Sequence, residues 1–284
     1  MNTTRGYFIF VQASEQKDYL SQAIALAKSI KIFNEISNVS IMTNCVLTDA
    51  QRKCFDRVFD IPGNDEAYEQ DWKIQNRHKI YEASQYDETI VLDSDMLCLS
   101  SLDYWWNILA HTDLYFTYQV KNFMDETVVT HPLYRKTFIE NNLPNIYCGM
   151  FYFKKTAYND KFFALLSEVM QNYKKYSRTY CNEHKQQWCS LDVSTAITCK
   201  IMKFKNTITN KNLTFTHMKT RLQKWNVDEN WIDEIPVAYD DNLQIKINNV
   251  VQKQLLHYVQ DKFLNTDLQQ IIDRIWKEKT YSLA

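Results

Sequence analysis

Two aspartates separated by one small residue are the part of this sequence best suited to chemistry. Residues 89–92 form a mostly β-branched run that favours a β-strand, and Asp93, Ser94 and Asp95 follow it directly. Two carboxylates this close repel each other unless a cation lies between them. Their oxygen atoms suit Mg²⁺ or Mn²⁺, and such an ion usually also binds a substrate diphosphate. The pattern therefore predicts a metal–nucleotide site, although aspartate is also common in turns that follow strands.

Composition limits the class of protein that contains this motif. The chain has 284 residues, of which 45% are hydrophobic and 14% aromatic, and its formal net charge is −1. This is the composition of a globular protein, and it has no basic excess that would indicate nucleic acid as the main partner. No segment has the roughly 18 apolar residues of a membrane span, and the N-terminus lacks a signal-peptide pattern. We therefore expect a cytoplasmic protein without a membrane span.

The number and spacing of the glycines and cysteines further limit the kind of site that this chain can form. The three glycines, Gly6, Gly63 and Gly149, cannot form a dinucleotide fingerprint or a phosphate-binding glycine loop. A bound phosphate must therefore be held by a metal, by side chains or by helix ends. The seven cysteines are scattered and form no C-x-x-C pair, which predicts free buried thiols in a reducing compartment.

Strand-like and helix-like segments alternate through the first half of the chain, which predicts a mostly parallel sheet flanked by helices. Ligands of such sheets bind at the carboxyl ends of strands, where Asp93 and Asp95 fall. The predicted strands are 7–11, 39–42, 58–61, 89–92, 148–153, 244–247 and 254–257, and the predicted helices are 20–30, 48–55, 71–86, 156–173, 188–202 and 267–279.

No linker or repeat divides the chain, so we predict one domain over residues 1–284. We expect a nucleotide-binding half up to about residue 115 and an acceptor-facing half from about residue 116. Residues 206–241 are aromatic and polar, and their pattern predicts no element. The sequence does not indicate an oligomeric state.

The Asp-x-Asp motif is accompanied by further motifs over most of the chain. They are Phe10-Val11, Tyr19, Ala23-x-x-Leu26-x-x-Ser29, Arg77, Gln85-Tyr86, Cys148-Gly149, and Leu256-His257-Tyr258 followed by Lys262. Together they resemble the glycogenin-like family of retaining glycosyltransferases, which have the GT-A fold. Residues 72–106 also resemble uncharacterised glycosyltransferase-like proteins of viruses and phages, which would place the protein in the cytoplasm of a host cell.

The resemblance implies an α/β protein of the GT-A type, with a single Rossmann-like mixed, mostly parallel sheet flanked by helices and Asp-x-Asp at a strand end. Its expected activity is transfer of a sugar from a nucleoside diphosphate, with UDP preferred, to a hydroxyl of a glycan, protein or small-molecule acceptor. Retention of the anomeric configuration is expected. Asp93, Asp95 and His257 would bind Mn²⁺ or Mg²⁺, and the imidazole ligand favours Mn²⁺.

Further residues would bind the donor if the resemblance carries through. Tyr19 would stack on the base, and Ala13, Ser14 and Gln16 in the same loop would offer hydrogen bonds to it. Ser94 is small enough to let a ribose approach the backbone between the two aspartates.

The positive charges and the acceptor side complete the predicted site. Arg77 would contact the donor phosphate or sugar, and Lys262 would contact the diphosphate. Asp192 matches an acidic position near the reacting sugar and is the candidate catalytic residue, although it also suits a helix N-terminus. Tyr147 stands where the family usually has asparagine, and Lys262 follows His257 by five residues, one fewer than in the family.

Two other functions remain open at this stage. A phosphatase of the haloacid-dehalogenase type also has Asp-x-Asp after a strand, but near its N-terminus and followed by a small Thr or Val. Here the motif is deep in the chain and is followed by Met96 and Leu97. The changes at Tyr147 and Lys262 also fit a catalytically inactive sugar-binding or scaffold module with the same fold. Turnover of a nucleotide sugar would separate that module from an enzyme.

Overall fold

A six-stranded sheet forms the centre of the computed structural model, which describes residues 3–62, 76–128, 132–182, 189–218 and 231–282. The strand order is β3-β2-β1-β4-β7-β6, and the first four strands are parallel to one another. β7 pairs antiparallel with β4 on one side and with β6 on the other. The sheet is therefore mixed and mostly parallel, as predicted. These strands are β1 (Arg5–Val11), β2 (Val39–Thr43), β3 (Arg57–Phe59), β4 (Glu88–Leu92), β6 (Leu114–Thr117) and β7 (Tyr147–Lys154).

Both faces of this sheet are covered, because its central strands are apolar on both sides. In β1, alternate side chains enter different clusters: Tyr7, Ile9 and Val11 pack on one face, whereas Phe8 and Phe10 pack on the other. The described helices are α1 (Tyr19–Phe33), α2 (Asp49–Arg52), α3 (Ile80–Ala83), α4 (Asp103–Leu109), α5 (Pro132–Glu140), α6 (Ala157–Gln171), α7 (Tyr173–Tyr180), α8 (Leu191–Ile201) and α9 (Thr266–Ser282).

Two small sheets lie beside the central one, and the sequence patterns did not predict that they form separate sheets. In the first, β5 (Met96–Cys98) pairs antiparallel with β12 (Leu255–His257), which pairs in parallel with β8 (Thr216–His217). This sheet starts directly after the Asp-x-Asp loop. The second sheet consists of β9 (Val237–Tyr239), β10 (Ile245–Ile247) and β11 (Val250–Val251).

The predicted helix over 71–86 is confirmed only in part, because the α-helix within the described residues is short. Residues 71–75 lie outside the described residues, and a 3₁₀ turn over Arg77–Lys79 leads into α3, which ends at Ala83. Ser84 is extended, and its hydroxyl lies 2.7 Å from the hydroxyl of Thr89 in β4. This pairing ends the helix early because it fixes Ser84 against the neighbouring strand.

Other predicted helices exist but are shorter. Thr48 caps α2 with a capping box as its sequence suggests, yet the helix ends at Arg52 rather than at residue 55. The helix predicted from residue 188 begins at Leu191, because the Ser190 side chain accepts a hydrogen bond from the Val193 N–H and so caps it there. Residue 188 itself lies outside the described residues.

The division of the chain into two functional halves stays a prediction.

Within the described residues, no helix is both long enough and apolar enough to cross a membrane. All seven cysteines are free thiols, and six of them are buried.

Candidate metal and nucleotide site

The Asp-x-Asp loop joins β4 to β5 and is held at both ends by backbone hydrogen bonds. The Asp93 N–H donates to the Gly149 carbonyl oxygen over 2.9 Å, and the Tyr258 N–H donates to the Asp95 carbonyl oxygen over 3.1 Å. Ser94, between the two aspartates, is buried. The loop is therefore fixed by β7 on one side and by the segment after β12 on the other.

His257 lies beside both aspartates, although it is far from them in the sequence. Its Nε2 atom is 2.9 Å from Asp95 Oδ1 and 4.0 Å from Asp93 Oδ2. One ligand atom from each of the three side chains lies within 4.8 Å of the others. The pairing of His257 with Met96 across β12 and β5 produces this proximity. Two carboxylates and one imidazole at this spacing fit a single divalent cation, and Mn²⁺ suits the mixed oxygen and nitrogen set.

Arg77 orients one of these carboxylates. Its guanidinium contacts Asp93 Oδ1 and also donates to the Cys148 carbonyl oxygen over 3.2 Å, and its side chain is 10% exposed. Burial raises the pKa of Asp93 above its ordinary value, against the opposing effect of the Arg77 charge. The nearby Asp95 charge raises the pKa of Asp93 further. A positive charge bound between the two carboxylates would therefore stabilise them.

Gly149 allows β7 to approach the aspartate loop closely. A Cβ atom at this position would lie 3.0 Å from Asp93 Oδ2, 3.0 Å from Met96 Cε and 3.1 Å from Phe215 Cζ. These distances are shorter than ordinary van der Waals contacts. The glycine is therefore needed for space next to a metal-ligand candidate.

We expect Gly149→Ala to weaken Mn²⁺ binding about fivefold to tenfold, because the new methyl group displaces the Asp93 carboxylate from the cluster. A Mn²⁺ titration followed by electron paramagnetic resonance measures this affinity. Cys199→Ala is the control for a small change at a buried position, since Cys199 lies on α8 in the core on the opposite face of the sheet. An alanine variant at Gly149 with wild-type Mn²⁺ affinity would contradict the expectation.

The loop before α1 forms an open groove with a volume of about 340 Å³, lined by residues 12–20 and Cys45. The Ala13 N–H donates to Asn44 Oδ1 over 2.7 Å, and the Gln16 N–H donates to Ser14 Oγ over 3.2 Å. The predicted base-binding residues therefore share one groove, whose shape is set by hydrogen bonds from its own backbone.

Tyr19 lines this groove, and its phenol lies within range of the charges of the aspartate cluster. It begins α1 and is half-buried. Burial raises the pKa of its phenol, and the negative charges of Asp95, Asp261 and Asp93 raise it further, which places the ring in the electrostatic field of the cluster. Asp261 also accepts a hydrogen bond from Gln22 of α1 over 2.8 Å, so the segment after His257 packs against this helix.

Asp192 lies in the first turn of α8, and both of its carboxylate oxygens have partners. Oδ1 accepts a hydrogen bond from the Cys148 N–H over 2.8 Å, and Oδ2 accepts one from Arg135 Nη1 over 3.1 Å. Arg135 is almost fully buried, whereas the Asp192 side chain is 27% exposed. The carboxylate thus connects α8 to the start of β7, next to Gly149.

The structure places Lys262 apart from the three metal-ligand candidates. Its side chain is 69% exposed, and its ammonium group lies 3.4 Å from Asp233 Oδ2. Together with Phe263 and residues 232–239 it lines a different groove, with a volume of about 690 Å³. Among the described residues, no ion pair joins Lys262 to Asp93 or Asp95.

The sequence reasoning missed two residues near the cluster. Arg135 gave no signal, because a single arginine in a helix is usually a surface charge. His217 did carry a signal, since Leu213, Phe215 and His217 alternate with threonines in a way typical of a strand with one buried face. These three side chains are buried, and so are the intervening Thr214 and Thr216, which means that both faces of this segment are covered.

No family model and no curated protein matches the sequence. Among solved structures, the chain is similar to the apo form of the glycosyltransferase GlyE from Streptococcus pneumoniae TIGR4, with a TM-score of 0.50 and 15% identity over 97% of this chain. The chain spans 60% of the length of GlyE.

A second similarity covers both chains almost fully. The galactosyltransferase LgtC, solved with donor and acceptor sugar analogs, gives a TM-score of 0.52 and 13% identity over 96% of this chain and 95% of LgtC. An active-site mutant of LgtC gives a TM-score of 0.51. These similarities confirm the predicted GT-A-type fold. The narrower resemblance to glycogenin-like and viral proteins stays a prediction.

Proposed function

We propose that this protein is a metal-dependent glycosyltransferase that moves a sugar from a nucleoside diphosphate to an acceptor hydroxyl. One observation carries the proposal: Asp93, Asp95 and His257 place three ligand atoms within 4.8 Å of one another, at the carboxyl end of β4. Ligands of open α/β sheets bind at this end of the strands. The likeness of the fold to GlyE and LgtC, both glycosyltransferases, supports the same activity.

The side chains of the cluster have separate tasks in this mechanism. Asp93, Asp95 and His257 would hold the cation, and Arg77 keeps the Asp93 carboxylate in its orientation. When bound, the cation supplies Lewis-acid stabilisation of the diphosphate as it leaves the sugar. The remaining contribution of the protein is positioning of the donor and the acceptor.

Retention of configuration is part of the proposal. Asp192 is held by Arg135 and by the Cys148 N–H, so we assign it a positioning role rather than that of an attacking nucleophile. Retention without a carboxylate nucleophile requires the acceptor hydroxyl to attack the same face of the sugar from which the diphosphate departs. The new bond from the acceptor oxygen to the anomeric carbon would form as the bond to the diphosphate breaks, and the hydroxyl proton would pass to the departing phosphate. The transition state is then oxocarbenium-like, as in other reactions at the anomeric carbon.

UDP is the proposed donor nucleotide, and its binding tests the function. With Mn²⁺ present, UDP should bind at least about tenfold more tightly than GDP or ADP, because a polar group left unpaired by the wrong base costs about 1–3 kcal/mol. Tyr19→Ala should weaken the binding of all three nucleotides through loss of stacking. Thermal-shift titrations with and without Mn²⁺ measure these affinities, since a ligand that binds only the folded state raises its melting temperature.

Tyr158→Ala is the control, because Tyr158 is exposed on α6 and outside the groove. Equal binding of UDP and GDP would remove the uracil preference, and tighter binding of GDP would assign a GDP-linked donor. No Mn²⁺-dependent nucleotide binding at all would contradict the proposed function.

The position of Lys262 favours one second candidate, a catalytically inactive sugar-binding or scaffold module. In the structure its ammonium group pairs with Asp233, and a module that does not stabilise a departing diphosphate needs no positive charge beside Asp93. Release of free UDP from UDP-sugars, measured with and without acceptors, separates the two candidates. An active enzyme turns the donor over, whereas the inactive module binds it unchanged.

A further inference from the structure

His217 and His257 are neighbours on two parallel strands. The register of β8 and β12 pairs them directly, so their side chains leave the small sheet on the same face. Their rings are stacked, with centroids 4.6 Å apart and planes inclined by 8°. Both side chains are buried, at 4% and 8% exposure. One face of the His257 imidazole is therefore covered by the His217 ring.

Other rings close the space around this pair. The Phe215 ring lies 5.7 Å from His257 and 5.6 Å from His217. The Tyr147 ring meets His217 edge-on, with centroids 6.2 Å apart and planes inclined by 83°. Each ring fills space into which its neighbour would otherwise turn, so His257 has little freedom to change its side-chain rotamer.

Tyr147, which lies at the end of this arrangement away from His257, is also held in place. The Arg135 guanidinium carbon lies 4.1 Å from the Tyr147 ring centroid, and the same guanidinium is bonded to Asn145 and Asp192. A continuous set of contacts thus runs from buried Arg135 through Tyr147 and His217 to His257, whose Nε2 atom is 2.9 Å from Asp95.

We propose that His217 is a positioning residue that holds the His257 imidazole in the orientation that binds the cation. Its ligand atoms are not part of the three-residue cluster, so it acts through stacking on His257. A ligand held in advance loses less conformational entropy when the metal binds, and removal of such supporting contacts typically lowers metal affinity about 10-fold to 100-fold. The inference rests on the cation site of the proposed function.

The test compares His217→Leu with His217→Phe, using Mn²⁺ alone as the probe. Leucine fills a similar volume without a flat ring, whereas phenylalanine keeps the ring but has no nitrogen. We expect His217→Leu to weaken Mn²⁺ binding about tenfold and His217→Phe to stay within about twofold of wild type. The affinities are measured by electron paramagnetic resonance well below the melting temperature of each metal-free variant, so that a loss of stability alone does not change them.

The visible spectrum of bound Co²⁺ provides a second readout, because it reports the geometry of the ligands. It should change in His217→Leu and stay as in wild type in His217→Phe. Should His217→Leu fail to fold, His217→Gln replaces it as the variant without a ring, with the same expectation.

Unchanged Mn²⁺ affinity in the variant without a ring, or an equal loss in His217→Phe, would overturn the positioning role while leaving the cation site intact. A wild-type protein that binds no Mn²⁺ would overturn both the cation site and this inference.

Discussion

Replacement of either Asp93 or Asp95 by asparagine is expected to lower Mn²⁺-dependent affinity for UDP by at least about 100-fold. Supporting residues around metal ligands already contribute about 10-fold to 100-fold, and loss of a charged direct ligand costs no less. Both side chains are partly exposed, at 21% and 17%, so an isosteric amide opens no cavity in the core. The UDP titration described above, performed with and without Mn²⁺, measures the loss.

The two variants should differ in the stability of the metal-free protein. Asp95→Asn removes a negative charge next to Asp93 and keeps an oxygen that can accept a hydrogen bond from His257 Nε2, so it should melt at or above the wild-type temperature. Asp93→Asn leaves the buried Arg77 guanidinium without its counter-charge and should melt lower, although relief of the buried Asp93 charge offsets part of the loss. Glu140→Gln, on the exposed side of α5, is the control for the loss of an acidic group. Wild-type Mn²⁺-dependent affinity in both aspartate variants would exclude the proposed metal site.

Replacement of Arg135 by methionine is expected to lower the free energy of unfolding by about 3–5 kcal/mol. The arginine side chain is 2% exposed, and it donates to Asn145, to Asp192 and to the Ile146 carbonyl oxygen. Methionine fills much of the volume but donates no hydrogen bond, so the buried Ile146 carbonyl oxygen and the Asp192 carboxylate lose the bonds that Arg135 makes to them. Loss of the partner of a buried polar group costs about 1–3 kcal/mol. Equilibrium unfolding in guanidinium chloride measures the change.

The neighbouring Lys136 is the matched control for Arg135. Its side chain is 60% exposed and pairs with Glu140 over 3.4 Å, so Lys136→Met should change the free energy of unfolding by less than about 1 kcal/mol. Similar losses in the two variants would show that the contacts of Arg135 contribute no more than a surface charge. Weaker Mn²⁺ binding in Arg135→Met at low temperature would connect this arginine to the metal site through Tyr147.

The sequence alone determined the central part of the fold and the location of the carboxylates. The strands β1, β2, β4 and β7 appear as mainly apolar or β-branched runs, because strands buried on both faces carry mostly apolar side chains. Asp93 and Asp95 come directly after such a run, and the carboxyl end of a parallel strand is where a ligand is expected. Both conclusions depend on residues that are adjacent in the chain.

Local pattern was a weaker guide wherever a contact between distant residues decides the structure. The helix predicted over 71–86 ends at Ala83 because Ser84 is fixed by Thr89 of the next strand. Arg135 and Asp192 are 57 positions apart, and nothing in either segment indicates that they pair. Lys262 follows His257 closely in sequence, yet its side chain lies beside Asp233.

The composition of the metal cluster itself was decided by tertiary structure. His257 reaches Asp95 because β12 pairs with β5 in one register, and a shift by one residue would turn its ring to the other face of the sheet. The same pairing with β8 places His217 on the His257 ring. Residue types and spacing predict which side chains are able to bind a cation. Strand register determines which of these side chains lie next to one another. Register cannot be read from one strand, because it depends on hydrogen bonds between strands that are distant in the sequence.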